Sequence, residues 1–288
     1  MGLGGDLIFT AAVREIKLNY SDHNVHLIET NKIGKYFPIL KRYFWNYSKS
    51  PVFNNNPYFS FGKFIDKSII IDRNDFNNTY MKKELSDRFI WKDNGHAVEM
   101  ICNNYNVIPS SVKPDIFFNK AEKNKYKKFF NDLPETYIVL EPNGKTNYFN
   151  TNRLYHLDRW QDIINEIRSR ISIIQVGDGE GKSLENVISY NGRISIRETA
   201  WIISKAKLFI GTIGGLMHIA RAVDTKSLIL YSGTEKVNMV GYENNINLIK
   251  EVECSPCGLK VKCPYDRKCM DFSVSEVLDS AIKCLEVV

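Results

Sequence analysis

The sequence predicts an α/β fold in which short apolar strands alternate with amphipathic helices along most of the 288 residues. Several apolar runs have the length of buried strands and are separated by helical patterns, which favours parallel sheets covered on both faces. A chain of this length corresponds to about two domains of roughly 150 residues each. We therefore expect two similar α/β domains that face each other across a ligand cleft, because open parallel sheets bind ligands beyond the carboxyl ends of their strands.

The composition narrows the class of protein. Apolar residues make up 43% and charged residues 25% of the chain, so a disordered tail, a collagen-like repeat and a disulfide-dense mini-protein are excluded. A transmembrane helix needs about 18 consecutive apolar residues, and the apolar runs here are far shorter. We see no pattern of a signal peptide, which is a basic segment followed by a long apolar stretch. We therefore expect a cytoplasmic protein.

The net charge indicates which kinds of partner the protein would bind. The 39 Lys and Arg against 33 Asp and Glu give a net charge of +6, which suits an anionic substrate or peripheral contact with the acidic inner membrane. Nucleic acid is not an expected partner, because the dense basic run Lys120 to Lys128 alternates with Glu122 and Asn124 in the manner of a solvated helix face. The sequence leaves the oligomeric state open.

The first half of the chain combines helical and strand patterns. The predicted elements are a helix at Leu7–Lys17, strands at His23–Glu29 and Lys67–Asp72, and a helix at His96–Tyr105. A polar, lysine-rich stretch at Asn119–Pro134 is the best domain boundary. We therefore assign residues 1–130 to an N-terminal domain and residues 131–288 to a C-terminal domain.

The second half shows the alternation more clearly, as strand–helix–strand units of the Rossmann type. A closing helix at 273–287 begins where Ser273 and Glu276 form a capping box. The other predicted elements are strands at Tyr137–Glu141, Ile171–Val176, Leu208–Gly211 and Ser227–Tyr231, and helices at Leu157–Arg170, Ile196–Ala206 and Leu216–Val223.

The glycine-rich opening of the chain is the first candidate site. Gly2, Gly4 and Gly5 precede the first helix and would let the backbone approach a ligand at the helix N-terminus, where anions are favoured. Asp6 is either the cap of that helix or a general base facing the cleft. The spacing does not fit a dinucleotide fingerprint, since no third glycine follows.

A second candidate site lies in the C-terminal domain. Gly214 and Gly215 join a strand to a helix that carries His218 in its first turn, so their amides are predicted to cradle a diphosphate with His218 as a further donor. Lys145 and Arg153 follow the first strand of this half, where cations would neutralise a diphosphate leaving group. A tight turn and a solvated loop are the structural alternatives.

A third glycine-rich segment follows a strand at Gly177–Ser183. It is similar to a phosphate-binding P-loop, but only three residues separate Gly177 from the Gly181-Lys182-Ser183 end, and the motif needs four. The acidic residues of the segment would also repel phosphate. A phosphotransferase or NTPase built on this loop is the alternative function.

Four cysteines fall within a short stretch near the C-terminus. Cys254, Cys257, Cys263 and Cys269 have the number and spacing of a tetrahedral thiolate site in a reducing compartment, for which zinc is the default metal and iron the second choice. Reduced thiols without metal are the alternative, because the second pair lacks the short spacing of common zinc ribbons.

Five segments, in this order, resemble glycosyltransferase family 9, the family of ADP-heptose:lipopolysaccharide heptosyltransferases, which has the two-domain GT-B fold. The resemblance runs along nearly the whole chain, and the ordered set is more specific than any one segment. The segments are Gly2–Asp6 with Thr10 and Arg14, Phe53–Tyr58, Glu141–Gly144 with Asn152–Trp160, Gly211–Ala222, and Cys254–Met270.

The resemblance implies an inverting transfer of a sugar, with heptose from ADP-heptose as first guess, to a hydroxyl of a lipopolysaccharide core, capsule or similar glycan. It implies no catalytic metal. Asp6 falls on the family's catalytic base, and Arg153 or Lys145 would contact the donor phosphates. The nucleotide-diphosphate loop falls on Thr212, Gly214, Gly215 and His218.

Three departures accompany this resemblance. Ile213 stands where the family usually has an acidic residue, and Asp158 stands where it often has a lysine, which leaves Arg153 as the better cation. The family's first strand precedes the glycine loop, so we expect that strand to be missing here. A non-catalytic binding protein that kept the fold is therefore a further alternative.

Overall fold

The computed structural model describes residues 2–30, 45–47, 49–62, 64–75, 79–92, 94–143, 148–179 and 181–286. The first half contains three α-helices and five strands within those ranges. They are α1 (Leu3–Asn19), β1 (Asn24–Thr30), β2 (Trp45–Tyr47), β3 (Ser68–Asp72), β4 (Met81–Glu84), β5 (Phe89–Trp91), α2 (Ala97–Asn103) and α3 (Lys120–Phe129).

The second half alternates strands and helices more regularly. Its described elements are β6 (Tyr137–Glu141), α4 (Tyr148–Thr151), α5 (Leu157–Ile167), β7 (Ser172–Gln175), β8 (Ile188–Ser189), α6 (Ile196–Ile203), β9 (Leu208–Thr212), α7 (Gly215–Ala222), β10 (Ser227–Tyr231), α8 (Val237–Val240), β11 (Asn245–Ile249) and α9 (Val274–Glu286). None of the described helices combines the length and the hydrophobicity that a bilayer crossing requires.

A six-stranded parallel sheet organises the second half. Its order is β8-β7-β6-β9-β10-β11, so the chain starts at the centre, builds outward on one side and then returns to build the other side. This is the Rossmann order, and its topological switch point lies between β6 and β9. The Rossmann-type arrangement predicted for this half is therefore confirmed.

A smaller sheet lies in the first half. β1 pairs in parallel with β3 on one side and antiparallel with β2 on the other. The strands β4 and β5 form a separate antiparallel hairpin. This hairpin contacts the second half, since the backbone amide of Phe89 donates to Gly258 O at 2.9 Å and the indole of Trp91 donates to Thr234 O at 2.8 Å.

The core occupies both faces of the large sheet. Ile138 and Leu140 of β6 point to the face covered by α5 and α9, while Tyr137 and Val139 point to the opposite face. The core of that second face is continuous with the apolar side of α1. The two halves of the chain therefore share one hydrophobic core.

The first helix begins earlier than predicted. α1 starts at Leu3 with Gly2 as its N-cap, so Gly4 lies inside the first turn and Asp6 is not a capping residue. A glycine in a helix costs about 1 kcal/mol relative to alanine. The close contact with α7 explains its presence, because a Cβ atom at Gly4 would lie 2.9 Å from Cδ2 of His218.

Other local predictions are confirmed. β6 and β10 have the predicted bounds, and Ser273 and Glu276 cap α9 reciprocally. The basic run at Lys120–Lys128 lies on α3, where Tyr126 is the buried residue, as expected for a solvated helix face.

Candidate functional site

A cavity of about 780 Å³ lies at the carboxyl edge of the six-stranded sheet, at the switch point between β6 and β9. This volume is within the range of small-molecule sites. The first half contributes the start of α1 and the β4–β5 hairpin to its walls. The residues that line it include Gly2, Leu3, Gly4, Gly5, Tyr80, Phe89, Trp91, Glu141, Asn143, Phe149, Arg153, Gly177, Asp178, Ile194, Ile196, Thr212, Ile213, Gly214, Gly215, His218 and Glu235.

The glycine loop between β9 and α7 lies in the wall of this cavity. Gly214 is the N-cap of α7 in extended backbone, and no side-chain hydrogen bond caps the helix in the described part of the chain. Thr212 ends β9 at the same edge. The first amides of α7 are therefore available to an anion, which the helix dipole would favour.

His218 lies one turn into α7 and is buried. Its Nδ1 atom lies 2.6 Å from the hydroxyl oxygen of Tyr242. Burial lowers the pKa of His218 to about 3, with smaller contributions from His96 and Arg153. The imidazole is therefore neutral at physiological pH, so any contact with a ligand is a hydrogen bond and not an ion pair.

Arg153 lines the cavity but is already engaged. Its Nη2 atom lies 2.8 Å from Glu235 Oε2, and its guanidinium carbon lies 3.8 Å above the ring of Phe149. The hydroxyl of Tyr80 donates to the other oxygen of Glu235 at 3.0 Å. Because the ion pair is buried, separating its two charges would cost free energy. A phosphate would therefore have to share this guanidinium with Glu235.

Lys145, the other predicted cation, lies outside the described residues. The strand that precedes it does reach the cavity, since Glu141 and Asn143 both line it.

Asp6 lies beside the large cavity and not in its wall. It lines a separate polar pocket of about 450 Å³ together with Glu29, Lys49 and Arg73. Arg73 Nη2 lies 2.5 Å from Asp6 Oδ1. Burial raises the pKa of Asp6, while a hydrogen bond from Ser50 and the charge of Arg73 act in the opposite direction.

The glycine-rich segment after β7 does not have the structure of a P-loop. A P-loop requires a helix directly after its Lys-Ser end, but Ser183 is followed by a turn and then by the short strand β8. Side-chain amides fix this loop, because Asn143 and Gln175 both donate to Lys182 O, at 2.9 and 3.0 Å. The phosphotransferase alternative therefore lacks its structural requirement.

The four clustered cysteines are free thiols. Burial raises the pKa values of Cys257 and Cys269. Cys254 and Cys263 raise both pKa values further, so the four thiols lie near one another. Within the described ranges, however, no group of three or more His, Cys, Asp or Glu side chains is arranged to hold a metal ion. The metal site predicted from the spacing stays a prediction.

Several residues of the site were not predicted. Tyr242 and Glu235 position His218 and Arg153, and Arg73 pairs with Asp6. Glu141 was noted as a strand end and within a segment that carries the family resemblance, but not as a site residue, although a carboxyl residue at the end of a parallel strand is a signal that can be recognised in a sequence. The others lie far along the chain from their partners, and no local pattern indicates them.

Solved structures show which fold this is. The chain is similar to a glycosyl transferase of family 9 from Veillonella parvula, with 13% identity, a TM-score of 0.64, and 99% of this chain and 95% of that chain covered. It is also similar to the ADP-heptose lipopolysaccharide heptosyltransferase II of E. coli, with 10% identity, a TM-score of 0.56, and coverage of 95% and 80%.

A third similar structure is the dodecameric iron-containing heptosyltransferase TibC, in complex with ADP-D-beta-D-heptose. It has 12% identity and a TM-score of 0.55, with 83% of this chain and 62% of that chain covered. The three likenesses confirm the predicted GT-B-like α/β fold class.

A family model also matches part of the sequence. Residues 179–268 match the model of glycosyltransferase family 9 (heptosyltransferase), a segment that contains the glycine loop, His218 and the four cysteines. The predicted resemblance to this family is thereby confirmed. No curated protein matches the sequence.

Proposed function

We propose that the protein is a glycosyltransferase that moves a sugar from a nucleotide donor to a hydroxyl group of an acceptor. The observation that carries this proposal is the cavity at the switch point of the Rossmann-type sheet, with the uncapped start of α7 in its wall and within the segment that matches the family model. Diphosphates suit such a helix start because of its free amides and dipole.

The first guess for the donor is ADP-heptose, and for the acceptor a hydroxyl of a lipopolysaccharide core, capsule or similar bacterial surface glycan. Two of the similar structures support this choice, since one is named as an ADP-heptose lipopolysaccharide heptosyltransferase and the other holds ADP-D-beta-D-heptose. We propose a cytoplasmic enzyme with peripheral contact to the inner membrane, where such an acceptor would be met.

We propose that residues 131–288 bind the donor and residues 1–130 present the acceptor. The donor diphosphate would lie on the amides of Gly214 and Gly215, with Thr212, His218 and the cations Arg153 and Lys145 around it. Negative charge that develops on the departing diphosphate would be stabilised by these fixed donors.

Asp6 is the proposed general base. The acceptor oxygen attacks the anomeric carbon from the face opposite the diphosphate, its proton passes to Asp6, and the bond to the phosphate oxygen breaks with its electron pair on the nucleoside diphosphate. This inverts the anomeric centre. The raised pKa of Asp6 brings the carboxylate closer to the range of an effective base at neutral pH. The pocket beside Asp6 would admit the acceptor.

We propose that the transfer needs no catalytic metal. A structural zinc or iron at Cys254, Cys257, Cys263 and Cys269 is a separate proposal, since four thiols suit these metals, and no step of the transfer depends on it. Elemental analysis of the purified protein tests it: one zinc or iron per chain is expected, and neither metal would contradict it.

The donor class can be tested with a thermal-shift panel of ADP-, GDP-, UDP- and CMP-linked sugars in EDTA. A ligand at 100 times its dissociation constant adds about 2.7 kcal/mol to the free energy of unfolding, which separates the true donor from the others. We expect the ADP-linked sugar to stabilise the protein most. Release of nucleoside diphosphate with an acceptor present would then show transfer, whereas binding without turnover would indicate the non-catalytic alternative.

A further inference from the structure

We infer that Arg73 is a positioning residue for the proposed general base, Asp6. Its guanidinium holds one carboxylate oxygen of Asp6, so that the other oxygen is oriented for the proton of the acceptor hydroxyl. This inference rests on the proposed function and adds to it a residue outside the five segments of the family resemblance.

Arg73 lies where two parallel strands of the smaller sheet end. It directly follows β3, and Asp72, the last residue of β3, pairs with Ile28 of β1. The side chain of Asn74 donates to Thr30 O at 2.9 Å, and the amide of Asn74 donates to Asp72 Oδ1 at 3.0 Å. The backbone that carries Arg73 is therefore tied to the ends of both strands.

The guanidinium of Arg73 contacts two carboxylates at once. Its Nη2 atom lies 2.5 Å from Asp6 Oδ1, and its Nη1 atom lies 3.0 Å from Glu29 Oε2. The two acids differ in their surroundings, since the side chain of Asp6 is 8% exposed and that of Glu29 is 49% exposed. Water hydrates Glu29, whereas the buried carboxylate of Asp6 needs a counter-charge, which Arg73 provides.

The charge of Arg73 favours the protonation state in which Asp6 can act. A general base must be ionised before it accepts a proton. Burial raises the pKa of Asp6, whereas a hydrogen bond from Ser50, the charge of Arg73 and the amino-terminal charge lower it. The other titratable side chains of the pocket are Glu29, Tyr47 and Lys49.

The contact with Arg73 also orients the carboxylate. A guanidinium is planar and holds its N–H donors in a fixed fork, so the group that it binds is restricted to one orientation. With Oδ1 of Asp6 held by Arg73, the proton of the acceptor hydroxyl would pass to Oδ2. Orientation of this kind matters for the rate, because a displacement of about 1 Å can cost about a hundredfold.

The first measurement is the pKa of Asp6 itself. It uses ¹³C NMR of the full chain labelled at the aspartate carboxyl carbon, and the Asp6 signal is the one that Asp6→Asn lacks. Arg73→Gln should raise this pKa by about 1–3 pH units, the usual effect of losing an adjacent arginine. Arg73→Lys keeps the charge and should stay near the wild type, as should the control Arg168→Gln, whose side chain is exposed.

The second measurement is the pH dependence of turnover, followed as ADP release from ADP-heptose with a lipopolysaccharide core oligosaccharide as the acceptor probe. In Arg73→Gln the acid side of the pH–rate profile should move to higher pH by the same amount, because the base is ionised only there. Arg73→Lys should keep the wild-type profile but lose about ten- to a hundredfold in kcat, with the donor KM unchanged, since an ammonium group lacks the fork.

Thermal unfolding shows which variants fold, and Arg73→Lys carries the test if Arg73→Gln does not. An unchanged pKa of Asp6 in folded Arg73→Gln would overturn the inference. A wild-type kcat in Arg73→Lys, or a loss confined to the KM of the acceptor, would overturn it as well. A wild type that releases no ADP would instead count against the proposed function, while the NMR titration would still decide whether Arg73 controls Asp6.

Discussion

The two glycine-rich helix starts of the molecule look alike in sequence but differ in their surroundings. The start of α7 follows the parallel strand β9 and lies at the switch point of the six-stranded sheet. The start of α1 packs against α7, where Gly4 meets His218 and Leu3 meets Gly215. The difference teaches that both glycine pairs mark the close approach of the two helices, while only the start of α7 among the two follows a strand of the six-stranded sheet.

The same contrast holds for the charged residues. The pocket at Asp6 is built from side chains of both signs, with Arg73 between Asp6 and Glu29. The large cavity offers backbone amides, a neutral histidine and a guanidinium already paired with Glu235. We propose the first arrangement for proton transfer and the second for binding of the diphosphate.

The largest effect is expected at Asp6. Asp6→Asn should lower the rate of transfer by about 10²–10⁴-fold, the usual contribution of a general base, while nucleotide affinity stays near that of the wild type. Asp22→Asn is the matched control, because Asp22 is an exposed residue paired with Lys67. Turnover and nucleotide affinity of both variants are measured together. Full turnover in Asp6→Asn would remove Asp6 from the mechanism.

The next effect concerns the ion pair of Arg153 and Glu235. Arg153→Gln should destabilise the fold by about 3–5 kcal/mol, because it leaves a buried carboxylate without its partner. Restoring neutrality with Glu235→Gln in the same chain should recover much of that stability, as measured by urea unfolding. Pyrophosphate affinity of the double variant then reports the ligand contact: a value equal to the wild type would show that Arg153 does not bind the diphosphate.

A smaller effect tests the contact between the two helix starts. A Cβ atom at position 215 would lie 2.8 Å from Leu3 Cδ2, so Gly215→Ala should cost about 1–3 kcal/mol of stability through overpacking. Adding Leu3→Ala should relieve this, and the two free energies should not add. Additive free energies of unfolding would mean that the helices do not meet in this way.

A further prediction concerns the pH dependence of stability that the buried histidines cause. Burial lowers the pKa of His96 to about 4 and that of His218 to about 3, below the usual 6.5 of the unfolded chain. Between pH 6.5 and these values the unfolded state binds more protons, so the contribution of these two histidines to stability falls as the pH falls and is constant above 6.5.

His96→Asn tests this directly. It keeps a side chain that can cap α2, where His96 accepts from the amide of Val98, but it removes the titration. The loss of unfolding free energy from pH 7 to pH 4.5 should be smaller than in the wild type. An equal loss would show that His96 is not buried as a neutral group.

The regular part of the fold could be predicted because local patterns encode it. β6 and β10 are short apolar runs with clear bounds, and a capping box indicates the start of α9. The strands β4 and β5 were not predicted. Met81–Glu84 is mostly polar and exposed, and it forms a strand by pairing with β5. Strand patterns fail where burial is absent.

The site was predicted only in part for a similar reason. The glycine loop and His218 follow one strand and form one local motif, and the structure does place them in one cavity wall. Contacts such as Glu141 with Gly211, or Arg153 with Glu235, join residues that are 70 and 82 positions apart. Tertiary packing alone brings these together, so the sequence could not indicate that the predicted cation is already paired.

The most direct test of the central claim is a crystal structure of the protein with the nucleotide-sugar that stabilises it most. The account predicts that the diphosphate lies on the amides of Gly214 and Gly215, at the carboxyl edge of the six-stranded sheet. A diphosphate bound instead in the pocket of Asp6 and Arg73, or elsewhere on the surface, would contradict it.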